Sequence, residues 1–501
     1  MTQSTASDST PGRQVFGHPR GLGTLFFTEM WERFTYYGMR ALLVLFLADA
    51  TRGGFGLDDR TATAIYGLYI SASYIFCLPG GWIADRLIGA RRAVWHGGIL
   101  IAAGNFMLAL GSTAATFYAG LIVIVCGVGL LKPNISAMVA DLYPEGGARR
   151  DAGFTIFYMG INLGAFLGPL LTGWLAVTYG WRPAFAAGGV LMLLGLVQYK
   201  VFAHHLGDAG LHVAGSHGEQ SAAYVKRGWR TVAALVAGIV LLYVLVLSGM
   251  IPVDPLQLAQ FTGGVLAAIA IGYFAYMFLL APLNTAERKR MGVILFLFVG
   301  CALFWAGFEQ TGASLNLFAE RYVDRMVGAF EIPAAWFQSL NAVFILMFAA
   351  PFSMLWVGLA KRNLDPSAPA KFGIALILLG LGFVFMVIAA NIVAQGGKAM
   401  PYLLALTYLL HTYGELCLSP VGLSYVTKLA PERYVSQMMG VWFLATSVGN
   451  LSAGLLAGMF ETDNVEAMPG LFLQFVWFIC IAGVVLLLLS KPVKKLMGGV
   501  K

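Results

Sequence analysis

Apolar runs of about 20 residues, each long enough to cross a bilayer as a helix, recur along the whole chain. They lie near 22–48, 62–84, 93–112, 116–140, 153–177 and 183–203, then, after a polar break, near 229–249 and 258–282. A second set of six follows near 292–318, 335–359, 372–395, 400–428, 436–459 and 470–490. The pattern predicts an all-α integral membrane protein with 14 spans in the order six, two and six. An N-terminal six-helix bundle would occupy 1–203, a linker with an inserted helix pair 204–282, and a C-terminal six-helix bundle 283–501. The middle pair holds no charge over 232–249 or 263–281, so packing or a lipid-facing surface is its expected role.

Composition agrees with a chain whose solvent is lipid: 59% of the 501 residues are hydrophobic and 11% charged, with a mean hydropathy of +0.77. The first twenty residues carry no apolar core and no small-residue cleavage pattern, so the first span itself is expected to direct insertion. Of the 32 Lys and Arg residues, 23 fall in connections on the side of the N terminus, six on the other side and three inside spans. That asymmetry predicts cytoplasmic termini. It also places the net charge of +8 on the cytoplasmic face, where no nucleic-acid partner is needed to explain it.

The five cysteines, Cys77, Cys126, Cys301, Cys417 and Cys480, sit in apolar stretches without paired spacing and read as buried, unreactive thiols. His204, His205, His212 and His217 read as a solvated connection, and no metal site is expected.

Charge inside the spans carries the information. Glu29, Glu32, Arg33, Arg40, Lys132, Glu309 and Glu415 lie within apolar stretches, where each costs on the order of 2.5–3.5 kcal/mol even on a lenient insertion scale. At 100° per residue, Glu29, Glu32, Arg33, Tyr36 and Arg40 share an arc of about 100° on the first helix, which must look into the protein or a watery cavity. The set holds one carboxylate in excess of its cations, which suggests a place for a proton. Buried ion pairs are poor stabilisers compared with apolar packing, so pairs between halves that exchange partners, as gates do, explain these residues better than static locks. Two six-span halves joined by a basic connection are also what a transporter built from repeats shows, with its substrate site near the midplane.

The residues resemble a known family. EMWERFTYYGMR over 29–40 matches the ExxER signature of the proton-coupled oligopeptide transporters, the POT or PTR family of the major facilitator superfamily. GGWIADRLIGARR over 80–92 is similar to the superfamily's loop between spans two and three. GLLKPNIS from Gly129, FYMGINLGAF from Phe157, FWAGFEQ from Phe304, FQSLNAVF from Phe337, GELCLSPVGLS from Gly414 and SQMMGVWFL from Ser436 extend the match along nearly the whole chain. The inserted pair resembles the two extra helices of bacterial members. The family version of the fifth-span motif often has a serine where Ala165 stands, and the second span holds no histidine of the kind that animal members use for coupling. Proton handling is therefore expected to rest on the carboxylates.

The resemblance implies proton-driven symport of di- and tripeptides across a bacterial inner membrane by alternating access, in a chain that works as a monomer without a cofactor. It implies that Glu29, Glu32 and Arg33 act with Lys132 in proton coupling, with Glu309 a further protonation site. Arg40 with Glu309 would close the outer side, and Lys132 with Glu415 the inner side. The peptide amino terminus would lie near Glu415 and Asn341 and its carboxylate near Arg40 and Lys132. Tyr36, Tyr74, Tyr158, Asn162, Trp305, Ser419 and Trp442 would line the pocket. A short zwitterion needs an anion and a cation on opposite walls, with aromatic area for varied side chains.

The alternatives are a relative carrying nitrate or another small solute, an unrelated drug exporter, and a membrane-embedded enzyme. Glu415 argues against an anion carrier, because an anion offers it nothing to pair with. No nucleophile, metal-ligand or phosphate-loop motif supports an enzyme, and His411, beside Glu415, has no nucleophile at motif spacing.

Overall fold

The structure, a computed structural model, describes residues 14–15, 17–145, 147–211, 222–431, 434–460 and 465–498; His212 and His217 lie outside them. Sixteen helices of seven residues or more carry the described chain. The first seven are α1 (Arg20–Ala48), α2 (Asp59–Ile75), α3 (Cys77–Ile83), α4 (Ala90–Leu110), α5 (Ala114–Asp141), α6 (Gly147–Tyr179) and α7 (Trp181–Val201). Next come α8 (Ala222–Leu247) and α9 (Pro255–Leu279). The rest are α10 (Thr285–Phe308), α11 (Ser314–Tyr322), α12 (Ser339–Lys361), α13 (Ala368–Ala394), α14 (Pro401–Leu429), α15 (Val435–Ala457) and α16 (Met468–Leu496). Two short hairpins, Gln14–Val15 with His18–Pro19 and Met326–Val327 with Phe330–Glu331, are peripheral.

Twelve segments among the described residues are both long and apolar enough to span a membrane. Two further helices, α1 and α14, are 29 residues each, about 43 Å at 1.5 Å per residue, and complete fourteen. They hold Glu29, Glu32, Arg33 and Arg40 in α1 and His411 and Glu415 in α14, so polarity concentrates in the two helices with most of the buried charge. Several helices start earlier than their hydropathy, by as much as seven residues at α8 and α10. Hydropathy registers only the lipid-embedded stretch, whereas backbone hydrogen bonding continues into polar turns such as TAERKR at the start of α10.

Helix starts follow local chemistry. The Asn284 side chain accepts from the Glu287 amide while the Glu287 carboxylate accepts from the Asn284 amide, a reciprocal cap for α10. Asp58 caps α2 and Thr113 caps α5 in the same sense, each accepting an amide three residues on. At the far end of α1, Asp49 accepts from the Thr51, Arg52 and Gly54 amides and from Trp181 Nε1, stapling α1 to the start of α7. Partial burial opposes ionisation of Asp49, but these hydrogen bonds overcome it and hold the carboxyl at about 2.

Within the first seven helices the main contacts are α1 with α6 and α7, and α4 with α5 and α7. Within the last seven they are α13 with α14 and α16, and α10 with α15. The two sets meet chiefly where α2 crosses α15 and α6 crosses α12. At the α2–α15 crossing a Cβ on Gly67 would sit 3.0 Å from the Gly454 Cα, so the backbones touch through small residues. α9 rests on α2 and α15, while the apolar stretch of α8 has no buried residue. α8 meets the rest of the chain mainly at the π-helical turn Ala84–Ile88 and through the Tyr243 hydroxyl, which donates to the Ala115 carbonyl.

Neighbouring glycines in the loop motif make a sharp test. A Cβ on Gly80 would lie 2.0 Å from the Gly129 carbonyl oxygen, whereas one on Gly81 would meet nothing within 4 Å. Gly80→Ala must therefore part α3 from α5, an overpacking cost of about 1–3 kcal/mol. Gly81→Ala is expected to stay within about 0.5 kcal/mol of the parent. Thermal melting of the purified variants should show a lower Tm for Gly80→Ala alone; equal melting would contradict the close α3–α5 approach.

A divided, charged interior as the candidate functional site

α1 enters the interior with its charged face. Arg33 Nε lies 3.1 Å from Glu29 Oε1 and also donates to Glu32 Oε2, with all three side chains nearly inaccessible. One guanidinium thus serves two carboxylates. Glu29 Oε2, Glu32 Oε1 and Arg33 Nη2 have no hydrogen-bond partner, which leaves the cluster unsaturated where an unpaired charge is expensive. The Arg33 guanidinium lies 5.1 Å from the Tyr36 ring centre. Lys132, carried by α5 beside Pro133, has no carboxylate within 4.0 Å among the described residues, and its ammonium sits 3.7 Å from the Tyr74 ring centre. Glu29 and Lys132 nonetheless interact electrostatically.

Two turns along α1, Arg40 Nη2 meets Glu309 Oε2 at 2.8 Å. The Tyr66 hydroxyl accepts from Arg40 Nε at 2.8 Å and donates to Glu309 Oε2 at 3.0 Å, and Arg40 Nη2 also reaches Thr311 Oγ1 at 3.4 Å. Glu309 lies not in a continuous span but in the 3₁₀ turn Glu309–Gly312 between α10 and α11. The break presents its carboxylate sideways to α1 and α2. Nearby, Asn316 Nδ2 donates to the Ala41 carbonyl at 2.9 Å. Further out, Arg52 bridges Glu320 at 2.9 Å and Arg321 bridges Asp59 at 2.7 Å. All three described ion pairs joining the first seven helices to the last seven therefore lie toward the face opposite the N terminus.

Removing Arg40 leaves Glu309 buried against a single phenol, which should cost about 3–5 kcal/mol. Arg52, 41% exposed at its side chain, makes a surface pair worth about 1 kcal/mol or less. Arg40→Gln is therefore expected to melt far below the parent and Arg52→Ala close to it; the reverse order would contradict the burial of the Arg40 pair.

On the other wall, α14 holds Glu415 and α12 holds Asn341, whose Nδ2 donates to Glu415 Oε2 at 2.9 Å and to Thr412 Oγ1 at 3.1 Å. Glu415 thus pairs with an amide and not with Lys132. Electrostatic reach ties it to Glu309 and Arg40, and also to Tyr37 and Tyr158. Tyr158, on α6, is 40% exposed and lies within electrostatic reach of Glu415 on α14. Asn162, one turn on, is buried, with its amide on the Tyr158 carbonyl at 2.9 Å.

Lys132, Tyr74, Trp305, Asn341, Glu415, Ser419 and Trp442 are half-buried, whereas Glu29, Glu32, Arg33, Tyr36, Arg40 and Glu309 are buried. Trp305 stands edge-on to Phe304 and Phe308, and Trp442 edge-on to Phe372. Ser419 Oγ has no hydrogen-bond partner.

Sequence reasoning missed Tyr66, Thr311, Thr412 and Tyr37. Nothing in the sequence distinguishes Tyr66 from an interfacial tyrosine near the start of its span. Tyr37 follows Tyr36 but points off the charged arc, and still places its ring 5.6 Å from the Arg40 guanidinium.

A helical membrane protein whose two halves send opposite charges into a shared interior is built as a transporter. The POT family profile (PTR2) matches residues 91–471. The chain is similar to the peptide transporter YePEPT of Yersinia enterocolitica subsp. palearctica, with 44% identity over 99% of this chain and 98% of the relative. It is also similar to a di-/tripeptide transporter of Lactococcus lactis subsp. cremoris, with 35% identity and 98% of both chains covered. A crystal structure of a peptide transporter POT in complex with sulfate superposes with a TM-score of 0.90 at 38% identity, again over 98% of both chains. The chain belongs to the POT family, multi-pass membrane transporters of the major facilitator fold, and is not an enzyme.

Proposed function

We propose that this protein carries di- and tripeptides into the cell together with protons, by alternating access, from the inner membrane of a bacterium with both termini cytoplasmic. The observation that carries the reading is the division of charge. Glu415, held by Asn341, offers an anion for a peptide amino terminus from the second half, while Lys132, free of any carboxylate within 4.0 Å among the described residues, offers a cation from the first. Arg40, Tyr36, Tyr74, Tyr158, Asn162, Trp305, Ser419 and Trp442 complete the pocket in this proposal. The relatives' names, and sulfate in a related structure, support a site that accepts peptides and anionic groups.

The mechanism follows from which pairs are made. Arg40 with Glu309 and the two outer bridges hold together the face opposite the termini while Lys132 and Glu415 stand apart, which supports an arrangement open toward the cytoplasm. Closing the inner side would bring Lys132 to Glu415 while Arg40 and Glu309 separate. The division into 1–203, 204–282 and 283–501 gives the two rocking bodies and the inserted pair. The cluster of Glu29, Glu32 and Arg33 holds more carboxylate than cation, and a proton taken up there frees Arg33 and weakens the pull of Glu29 on Lys132. Glu309 is a second protonation site, whose neutralisation would release Arg40. The chain works as a monomer in this scheme.

Uptake of dialanine into proteoliposomes tests the reading. Saturable uptake that unlabelled tripeptide competes away supports it; uptake no greater than into protein-free liposomes overturns it.

A further inference from the structure

Away from the central charges, a cavity of about 750 Å³ opens at the N-terminal end of α1, between α6 and the end of α7. Its wall is apolar, built from Leu22, Phe26, Phe27, Trp31, Ile156 and Phe202. Three groups able to carry positive charge line it, Arg20, His205 and His18, the last with its Nδ1 on the Tyr143 hydroxyl at 2.8 Å, and no acidic residue does so among the described residues. Arg20 is half-buried, and its Nε has no hydrogen-bond partner, so part of the guanidinium's donor capacity is unused. His205 stacks on Phe202 with ring centres 5.7 Å apart and lies against His204 at 4.0 Å. Partial desolvation, with His204 and Arg20 nearby, pulls the His205 pKa down; an anion in the cavity would relieve that repulsion.

The cavity runs inward along α1 as far as Trp31. Trp31 also lines a separate groove of about 470 Å³ along α1, α6 and α7 between Phe34, Leu167, Leu171, Trp174 and Trp336. From Arg20 to Trp31 the helix rises about 16 Å, roughly half the hydrocarbon thickness of a bilayer. A cationic rim above an apolar channel of that depth has the shape and charge order of a phospholipid: headgroup at the membrane surface, acyl chain running inward. A peptide would bring polar backbone groups that these walls cannot hydrogen-bond, and a soluble anion would leave the apolar length unfilled.

We propose that this groove is a binding site for an anionic phospholipid, with its phosphate between Arg20, His18 and His205 and an acyl chain along Phe27 and Trp31. The inference does not depend on what the central site carries. Basic residues at the surface of an anionic leaflet attract such headgroups, and here they line one end of a single apolar cavity.

The test uses the full-length protein in detergent, titrated with phosphatidylglycerol or with phosphatidylcholine of identical acyl chains and read by native mass spectrometry. Phosphatidylglycerol is expected to bind about tenfold more tightly, and Arg20→Gln with His205→Gln to erase that preference. Gly23→Trp fills the groove from a position where a Cβ meets nothing within 4 Å, and should remove phosphatidylglycerol binding without disturbing the fold. Equal binding of the two lipids by the parent would show an apolar groove without headgroup recognition and overturn the proposal. So would a preference for phosphatidylglycerol that survives both Gly23→Trp and the rim substitutions.

Discussion

Replacing Glu415 by alanine is expected to abolish peptide uptake and to weaken peptide binding by one to two orders of magnitude. A hydrogen-bonded pair with a charged partner contributes about 1.5–3 kcal/mol, which is roughly 10- to 150-fold in affinity. Glu415 is half-buried and held by Asn341 at 2.9 Å, so it is oriented before any ligand arrives. The substitution removes the only carboxylate of α14 and with it the anion that faces Lys132 across the interior in this account. Uptake of dialanine by proteoliposomes, with binding measured separately, checks the expectation. Uptake preserved in Glu415→Ala would remove the amino-terminus site from α14.

Replacing Glu32 by glutamine should separate coupling from carriage. Glu32 is buried, shares the Arg33 guanidinium with Glu29 and keeps one oxygen without a partner. Glutamine keeps the size and a hydrogen-bonding oxygen but cannot take up or release a proton. Gradient-driven accumulation is expected to fall to the level of simple equilibration. Counterflow of labelled against unlabelled peptide, which needs no net proton movement, should persist at a substantial fraction of the parent rate. Concentrative, proton-dependent uptake in Glu32→Gln would take Glu32 out of the coupling role.

Much of this arrangement was legible in the sequence because bilayer physics constrains it tightly. An ionisable residue in an apolar run needs a partner or water, so Glu29, Glu32, Arg33, Arg40, Lys132, Glu309 and Glu415 could be picked out by depth alone. The helical period put Glu29, Arg33 and Arg40 on one face, and the structure indeed turns that face inward. What the sequence could not convey is which pairs are made at one time. Arg40 meets Glu309 while Lys132 and Glu415 stay apart, a difference set by how the halves are tilted and not by residue type. Nor did hydropathy reveal that α10 breaks at Glu309, because the helix restarts only six residues after it ends. Tyr66 was missed for a related reason: its role comes from the space between Arg40 and Glu309, and only the crossing of α1, α2 and α10 creates that space.

The central claim is that opposed charges on the two halves bind a short zwitterion and that a proton gradient drives it. The most direct measurement is uptake of dialanine into proteoliposomes under an imposed gradient, acid outside, with competition by dipeptide, tripeptide, tetrapeptide and nitrate. The account predicts accumulation above equilibrium that collapses with the gradient, with inhibition by di- and tripeptide and none by tetrapeptide or nitrate. Uptake indifferent to the gradient, or inhibited by nitrate as strongly as by dipeptide, would contradict it.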